Sequence, residues 1–228
     1  MNAPCLGKRL SSVADLVSEN AVLADVGTDH GYLPINLLIN GKIKRAVCLD
    51  INEGPLKSAE RNALEYGVYD KLSFLLSDGL DSLFDTELTD VSICGMGGEL
   101  ILDILSRAIS KISGGVSLIL QPMSKQSVVR RGLYSMGFEI EKEVYSRDKG
   151  KFYLTLLARF TGIKREISDI EAELGLSPFY GELSEAKIGY LKAKHRSLLK
   201  TAQGLSKSGK DASDVEMLVK KIEEILNL

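Results

Sequence analysis

The feature that most constrains this chain is the exchange of short β-branched runs with amphipathic helical stretches between Ala21 and Phe160. Strands are expected at Ala21–Val26, Arg45–Ile51, Leu72–Ser77, Val91–Cys94 and Val116–Gln121. Helices are expected between them at Leu33–Ile39, Pro55–Tyr66, Leu100–Ile109 and Lys125–Met136. Pro34 and Pro55 stand near helix starts, where a missing N–H costs nothing, and Gly67 and Gly137 stand where helices should stop. Strands that alternate with helices and are apolar almost throughout belong to a parallel sheet covered on both faces. Two extended runs end the series, Glu139–Val144 and Lys151–Arg159, with only Tyr145 to Gly150 between them. That link is too short for a crossover helix, so the last pair must be antiparallel.

After Thr161-Gly162 the strand signal disappears. Ile163, Ile167, Ile170 and Leu174 mark one helical face, which Gly175 to Pro178 interrupts. Ile188, Leu191, His195, Leu198 and Leu199 mark a second helix, and Val215, Leu218, Val219, Ile222, Ile225 and Leu226 a third. Gly204 to Lys210 reads as the loop between them. Narrow apolar stripes of this kind suit a helical hairpin or short coiled coil. The expected organisation is therefore a sheet domain over residues 1–161 and a helical domain over 162–228.

Composition removes several classes. With 44% hydrophobic and 26% charged residues, the 228-residue chain is neither disordered nor collagen-like. No apolar run approaches the ~20 residues that span a bilayer, and the first residues carry no apolar signal region. Cys5, Cys48 and Cys94 are far apart and odd in number, which points to a reducing, cytoplasmic setting. Two scattered histidines give no zinc site.

Five parallel strands closed by an antiparallel hairpin is the plan of a class I, Rossmann-like methyltransferase with a seven-stranded, mostly parallel sheet. A dehydrogenase sheet would stay parallel. The first strand–turn–helix, Leu23 to Pro34, lies where such folds bind their ligand. Gly27 allows a tight turn and Gly31 a close approach of backbone and ligand. Asp29 occupies the place of the middle glycine in D-x-G-x-G-x-G, where a pyrophosphate would need bare backbone. A carboxylate repels a pyrophosphate but tolerates S-adenosylmethionine, which carries a sulfonium, an ammonium and no phosphate. The alternative is a plain glycine turn with Asp29 as a helix N-cap.

The cofactor face is expected to run from Asp25, Gly27 and Thr28 through His30, Gly31 and Leu33. Asp50, ending the second strand, suits ribose hydroxyls, with Ile51 beside it. Asp78-Gly79 ends the third strand, where a carboxylate can accept from an adenine amino group or simply make a turn. In Gly95-Met96-Gly97-Gly98, Gly95 puts bare backbone beside the reacting methyl, and the following N–H groups can face a target base. Cys94 reads either as a nucleophile or as a small buried apolar residue; no Pro-Cys element accompanies it.

Taken together these residues resemble the TrmK family, bacterial tRNA (adenine-22-N1)-methyltransferases. The resemblance rests on Gly7-Lys8-Arg9-Leu10, Ala24 to Pro34, Glu53-Gly54-Pro55 and Gly95-Met96-Gly97-Gly98. Gly31 stands where alanine is frequent and Asp50 where glutamate is expected. The resemblance implies S-adenosylmethionine as donor and adenine N1 of tRNA as acceptor. Neutral adenine has a lone pair on N1, so no strong base is needed to start, and positioning should supply much of the rate. Asp29 is the expected catalytic residue, stabilising the cationic product or taking its proton; otherwise it holds the cofactor's ammonium or a water. His30 either assists or merely packs.

A net charge of −2 hides a local asymmetry. From Lys187 to Lys210 the chain holds Lys187, Lys192, Lys194, Arg196, Lys200, Lys207 and Lys210 with no acid. Lys192, Arg196 and Lys200 recur at i, i+4, i+8 and share a helical face suited to phosphates, or to acids on neighbouring helices. Lys8 and Arg9 form a second expected tRNA patch and Arg130-Arg131 a weaker third. Met96, Gly97 and Gly98 complete the expected substrate face. The chain is expected to act as a monomer or weak dimer, with no membrane and no metal. Competing readings are an NAD-dependent oxidoreductase, a methyltransferase with another acceptor, and a non-enzymatic docking arm on a degenerate fold.

Overall fold

The computed structural model describes residues 2–83, 87–112, 114–175 and 183–228. Its seven strands form one sheet in the order β3-β2-β1-β4-β5-β7-β6. β1 (Ala21–Val26) is buried along its whole length, flanked by β2 (Ile43–Asp50) and β4 (Asp90–Gly97). β3 (Leu72–Leu76) and β5 (Ser117–Ser124) extend the parallel part on either side. β6 (Phe138–Asp148) and β7 (Lys151–Phe160) close it as an antiparallel hairpin, with β7 paired to β5. The short Tyr145–Gly150 link therefore has the predicted consequence, although β6 runs on into it as far as Asp148, while β7 begins at Lys151 as expected.

Alternate strand residues feed two cores. Ala24, Val26, Leu118 and Leu120 pack with Ile101, Ile104 and Leu105 of α4 (Gly98–Arg107) and Val129 and Leu133 of α6 (Gln126–Met136). Ala21, Leu23 and Ile119 pack on the other face with Val13 and Leu16 of α1 (Lys8–Leu16) and Leu33, Ile35 and Leu37 of α2 (Tyr32–Ile39). Each large apolar side chain so buried contributes about 1.5–3 kcal/mol. α3 (Glu53–Glu65) follows β2, and α5 (Ile109–Ile112) is a single turn after α4.

In the C-terminal part, α8 (Glu185–Lys207) and α9 (Ser213–Leu226) form the expected helical hairpin, with Leu191 and Ile222 packed on Leu174. Two details differ from the sequence reading. The face marked by Ile163 to Leu174 is helical only over α7 (Asp169–Leu174). Ser168 and Glu171 form a reciprocal capping box that starts the helix there. Upstream, Arg165 lies over the Tyr134 ring at 3.8 Å and Ile167 packs against Tyr134, so the chain stays irregular. α8 also continues through Gly204 to Lys207, so the loop is shorter than Gly204–Lys210. Of the break at Gly175–Pro178, only Gly175 lies within the described residues; it has φ 77°.

The helical part is fastened to the sheet around a buried ion pair that lies within the sheet domain, through Arg130 to Ala172 and Tyr145 to Tyr190. Arg130 of α6 and Glu143 of β6 are 1% and 4% exposed, with Nε donating to Oε1 at 2.6 Å. Arg130 Nη1 also donates to the carbonyl of Ala172 in α7, and the Tyr145 hydroxyl donates to Glu143 Oε2. Tyr190 of α8 packs on Tyr145, their centroids 4.9 Å apart. Burial by itself would weaken the hold of Arg130 on its proton, but Glu143 and the two tyrosines outweigh it, and the net shift is upward. This corrects the expectation of a tRNA patch at Arg130-Arg131: Arg130 is inside the protein, and Arg131 pairs with Asp169.

Candidate active site

Between β1 and α2 the backbone turns through alternate left-handed residues, Gly27 (φ 72°), Asp29 (φ 53°) and Gly31 (φ 70°). Glycine takes this conformation freely, and aspartate tolerates it better than most side chains. At Gly27 the backbone sets the need, since among the described residues the only atom a Cβ would crowd is the methyl at the end of the flexible Met96 side chain. The side of Gly31 where a Cβ would stand faces Ala59 of α3 at 3.0 Å, so this glycine also allows the two helices to close. Gly31 is also the N-cap of α2, and no side chain caps that helix, so Asp29 is not spent on capping.

Asp25 and Asp29 have opposite surroundings. Asp25 is 5% exposed, and both of its oxygens are occupied: Thr28 donates to one at 2.8 Å and Ser92 to the other at 2.7 Å. Burial raises its pKa above the ordinary carboxylate value, against the lowering by those two hydroxyls. Asp25 thus braces the loop from below. The Asp29 side chain is 75% exposed, with His30 Nε2 3.5 Å away. His30 in turn stacks on Tyr32, the rings 5.5 Å apart and inclined by 27°.

Two cavities meet over the carboxyl ends of the parallel strands. The larger, about 350 Å³, is lined by Arg9, Leu10, Asp25, Gly27, Thr28, Asp29, His30, Tyr32, Leu33, Cys94, Gly95 and Met96. The smaller, about 130 Å³, is lined by Val26, Gly27, Asp50, Ile51, Ser77, Asp78, Gly79, Met96, Leu100 and Ile104. Gly27 and Met96 belong to both, so the two cavities adjoin at a bend where the Met96 methyl stands over Gly27. At the smaller end Ile51 and Leu100 leave apolar surface uncovered, 62% and 48% exposed, beside the carboxylates of Asp50 and Asp78. Apolar jaws next to two acceptors suit a nucleoside, with a ring between the jaws and donors on its edge and sugar. Asp50 accepts from the Asn52 N–H at 2.9 Å, and Asp78 pairs with Arg107 at 3.0 Å.

Of the glycine run, Gly95 is open toward Arg9, with only its Nη1 near at 3.7 Å from a built Cβ. Gly97 lies at the start of α4 near Ser124. Gly98 is buried, and a Cβ there would stand 2.7 Å from the Lys125 carbonyl, so its bareness seats α4 on α6. Burial pushes the Cys94 thiol well above the ordinary range and Asp25 adds to this, which disfavours the thiolate a nucleophile needs.

Lys192, Arg196 and Lys200 are exposed along α8. Lys8, Arg147 and Lys192 line a groove of about 570 Å³ between α8 and the β6–β7 hairpin. Other members of the basic run are committed within the fold: Lys187 is buried, and Lys194 pairs with Glu173 at 2.5 Å. Arg147 and Gln121 are not legible as site residues, since each sits in an ordinary strand whose neighbours come from distant sequence, whereas Tyr32 stands within the Ala24–Pro34 motif, two residues from the His30 ring it stacks on. Among the described residues no three His, Cys, Asp or Glu side chains are grouped to hold a metal, and no helix is long and apolar enough to cross a membrane.

Comparison with known proteins adds to this geometry. Residues 6–156 match the model of the methyltransferase domain family. The chain is 32% identical to the tRNA (adenine(22)-N(1))-methyltransferase of Bacillus subtilis (strain 168), over 99% of its own length and 94% of that protein. A Streptococcus pneumoniae structure solved in complex with S-adenosyl-L-methionine is 31% identical, with a TM-score of 0.85 over 97% of this chain and 100% of that one. M. capricolum TrmK, solved with the cofactor product S-adenosyl-homocysteine, is 28% identical, with a TM-score of 0.82 over 97% and 98%.

Proposed function

Because the chain belongs to the TrmK family of tRNA (adenine-22-N1)-methyltransferases, we propose that its crevice transfers a methyl group from S-adenosylmethionine to N1 of an adenine in cytoplasmic tRNA, at position 22. The observation that carries this reading is the pair of cavities adjoining at Gly27 and Met96, nucleoside-like at the Asp50–Asp78 end and open at Asp29. S-adenosylmethionine supplies the electrophilic methyl when bound. Asp50 and Asp78 accept from its ribose and adenine, with Ile51 and Gly79 bordering the ring, Gly27 letting Met96 close over the bend and Gly95 leaving room beside it. Thr28 and Leu33 shape the wall of the larger cavity.

Asp29 is the proposed catalytic residue. Its left-handed backbone holds the carboxylate at the lip, exposed and, among the described residues, without a donor closer than the 3.5 Å to His30. A carboxylate at that point stabilises the positive charge that develops on the base as N1 attacks, and can accept a proton from N6. N1 lies on the Watson–Crick edge, so the adenine must leave any pair before it enters. The stacked His30 and Tyr32 rings present an aromatic surface at the mouth for that base.

The helical part, residues 162–228, serves as the tRNA-holding arm. Lys192, Arg196 and Lys200 along α8, with Lys8 and Arg147 in the adjoining groove, offer sequence-independent phosphate contacts. Labelled methyl transfer to unmodified tRNA carrying adenine or guanine at position 22 tests the reading. Incorporation is expected only with adenine, whereas equal incorporation into both would refute the position.

A further inference from the structure

Lys8 and Arg9 are neighbours in sequence, yet α1 directs them to different places. Lys8 lines the groove against the hairpin, whereas Arg9 reaches into the larger cavity beside Asp25, Gly27 and Gly95. Its backbone N–H donates to Asp148 Oδ2 at 3.3 Å, which ties the start of α1 to the hairpin. Its Nη1 donates to Gln121 Oε1 at 2.7 Å, and Gln121 has no exposed surface. The Tyr153 ring lies 6.0 Å from the guanidinium carbon. An amide and a ring therefore aim the guanidinium without neutralising it. Among the described residues Arg9 forms no ion pair: Asp25, the nearest buried acid in that cavity, has both oxygens taken by Thr28 and Ser92.

A half-buried cation, held by a buried neutral group and lacking a counter-ion, is preorganised for an anion from outside. Position decides which anion. The crevice runs from Asp78 and Asp50 through the Gly27–Met96 bend to Arg9. A ligand with its nucleoside between Ile51 and Leu100 directs its amino-acid end around that bend. The carboxylate is the one anionic group of S-adenosylmethionine. We infer that Arg9 is a cofactor-binding residue that pairs with this carboxylate, and that Gln121 is the positioning residue that holds Arg9 there. The inference rests on the crevice being the cofactor site, and it moves Arg9 from the tRNA surface to the cofactor.

The test is calorimetric titration with S-adenosylhomocysteine and with its analogue in which hydrogen replaces the carboxylate. Wild type is expected to bind the carboxylated ligand about 10- to 100-fold more tightly. Arg9→Met should bind both ligands alike, at the wild-type affinity for the analogue, and that retained affinity shows the site is still folded. Gln121→Leu should lose part of the discrimination, and Arg9→Lys should keep part of it. Full discrimination in Arg9→Met would overturn the proposal. So would intact S-adenosylhomocysteine affinity in Arg9→Met with a raised KM for tRNA, which would return Arg9 to the RNA surface. If wild type bound neither ligand, the cofactor assignment of the whole crevice would fail, an outcome distinct from the other two.

Discussion

The crevice over the strand ends and the junction between sheet and helical arm both concentrate charge, but they use it in opposite ways. At the junction Arg130, Glu143 and the Tyr145 hydroxyl pair with one another inside the protein, only Arg130 Nη2 of the guanidinium lacking a partner among the described residues, and Tyr190 packs on Tyr145. At the crevice Asp29 is largely exposed, and Arg9 meets only an amide and a ring. A charge that is closed on its own chain holds structure, while one left open is available to a ligand. The contrast also appears within one loop, where Asp25 is saturated by hydroxyls and Asp29, four residues on, is not.

The sharpest way to break this comparison is Asp29→Asn. Loss of the open carboxylate should cut methyl transfer about 10²–10⁴-fold, with thermal stability and S-adenosylhomocysteine affinity unchanged. A parallel loss of affinity would make Asp29 a cofactor contact instead. Glu143→Gln should do the reverse. It strands a buried guanidinium, costing roughly 3–5 kcal/mol and lowering Tm by roughly 10 °C in a differential scanning measurement. The double change Arg130→Met with Glu143→Leu should recover most of that loss, because no buried charge is then unpaired.

Asp25 sharpens the contrast through pH. Its pKa is raised in the folded protein, so between 3.8 and the folded value the folded state binds more protons than the unfolded one. Stability from this group is greatest below the unfolded pKa and falls as pH rises to the folded one. Asp25→Asn should therefore gain on wild type in urea titrations as pH increases from 4, and a flat difference would show that Asp25 does not titrate as described. The smallest effect is expected on the arm. Replacing Lys192, Arg196 and Lys200 by alanine should weaken tRNA binding and reduce the slope of log K against log salt by up to about 0.9 for each phosphate no longer neutralised.

Sequence patterning reveals these regions unequally. The sheet is readable because β1 is buried throughout and its neighbours are rich in apolar and β-branched residues, and because Tyr145–Gly150 cannot hold a helix. The Gly27-Asp29-Gly31 spacing is readable because left-handed turns draw on few residue types. What escapes is whatever depends on a side chain's direction. Arg130 and Arg131 look alike in sequence, yet one is buried and the other surface-paired. Lys8 and Arg9 look like one patch until α1 separates them. Apolar spacing from Ile163 suggests a longer helix, because periodicity does not show that Ile167 and Arg165 are claimed by Tyr134.

The Arg130–Glu143 fastening also fixes a length. α8 carries its exposed cations about 6 Å apart, one per helical turn, on a support that is bolted to the sheet rather than hinged from it. The separation between that row and Asp29 is then a property of the chain itself, like the gap of a caliper. On the proposed reading, an RNA whose body and target base are spaced to match engages both ends together, and one whose spacing differs must release one end to reach the other.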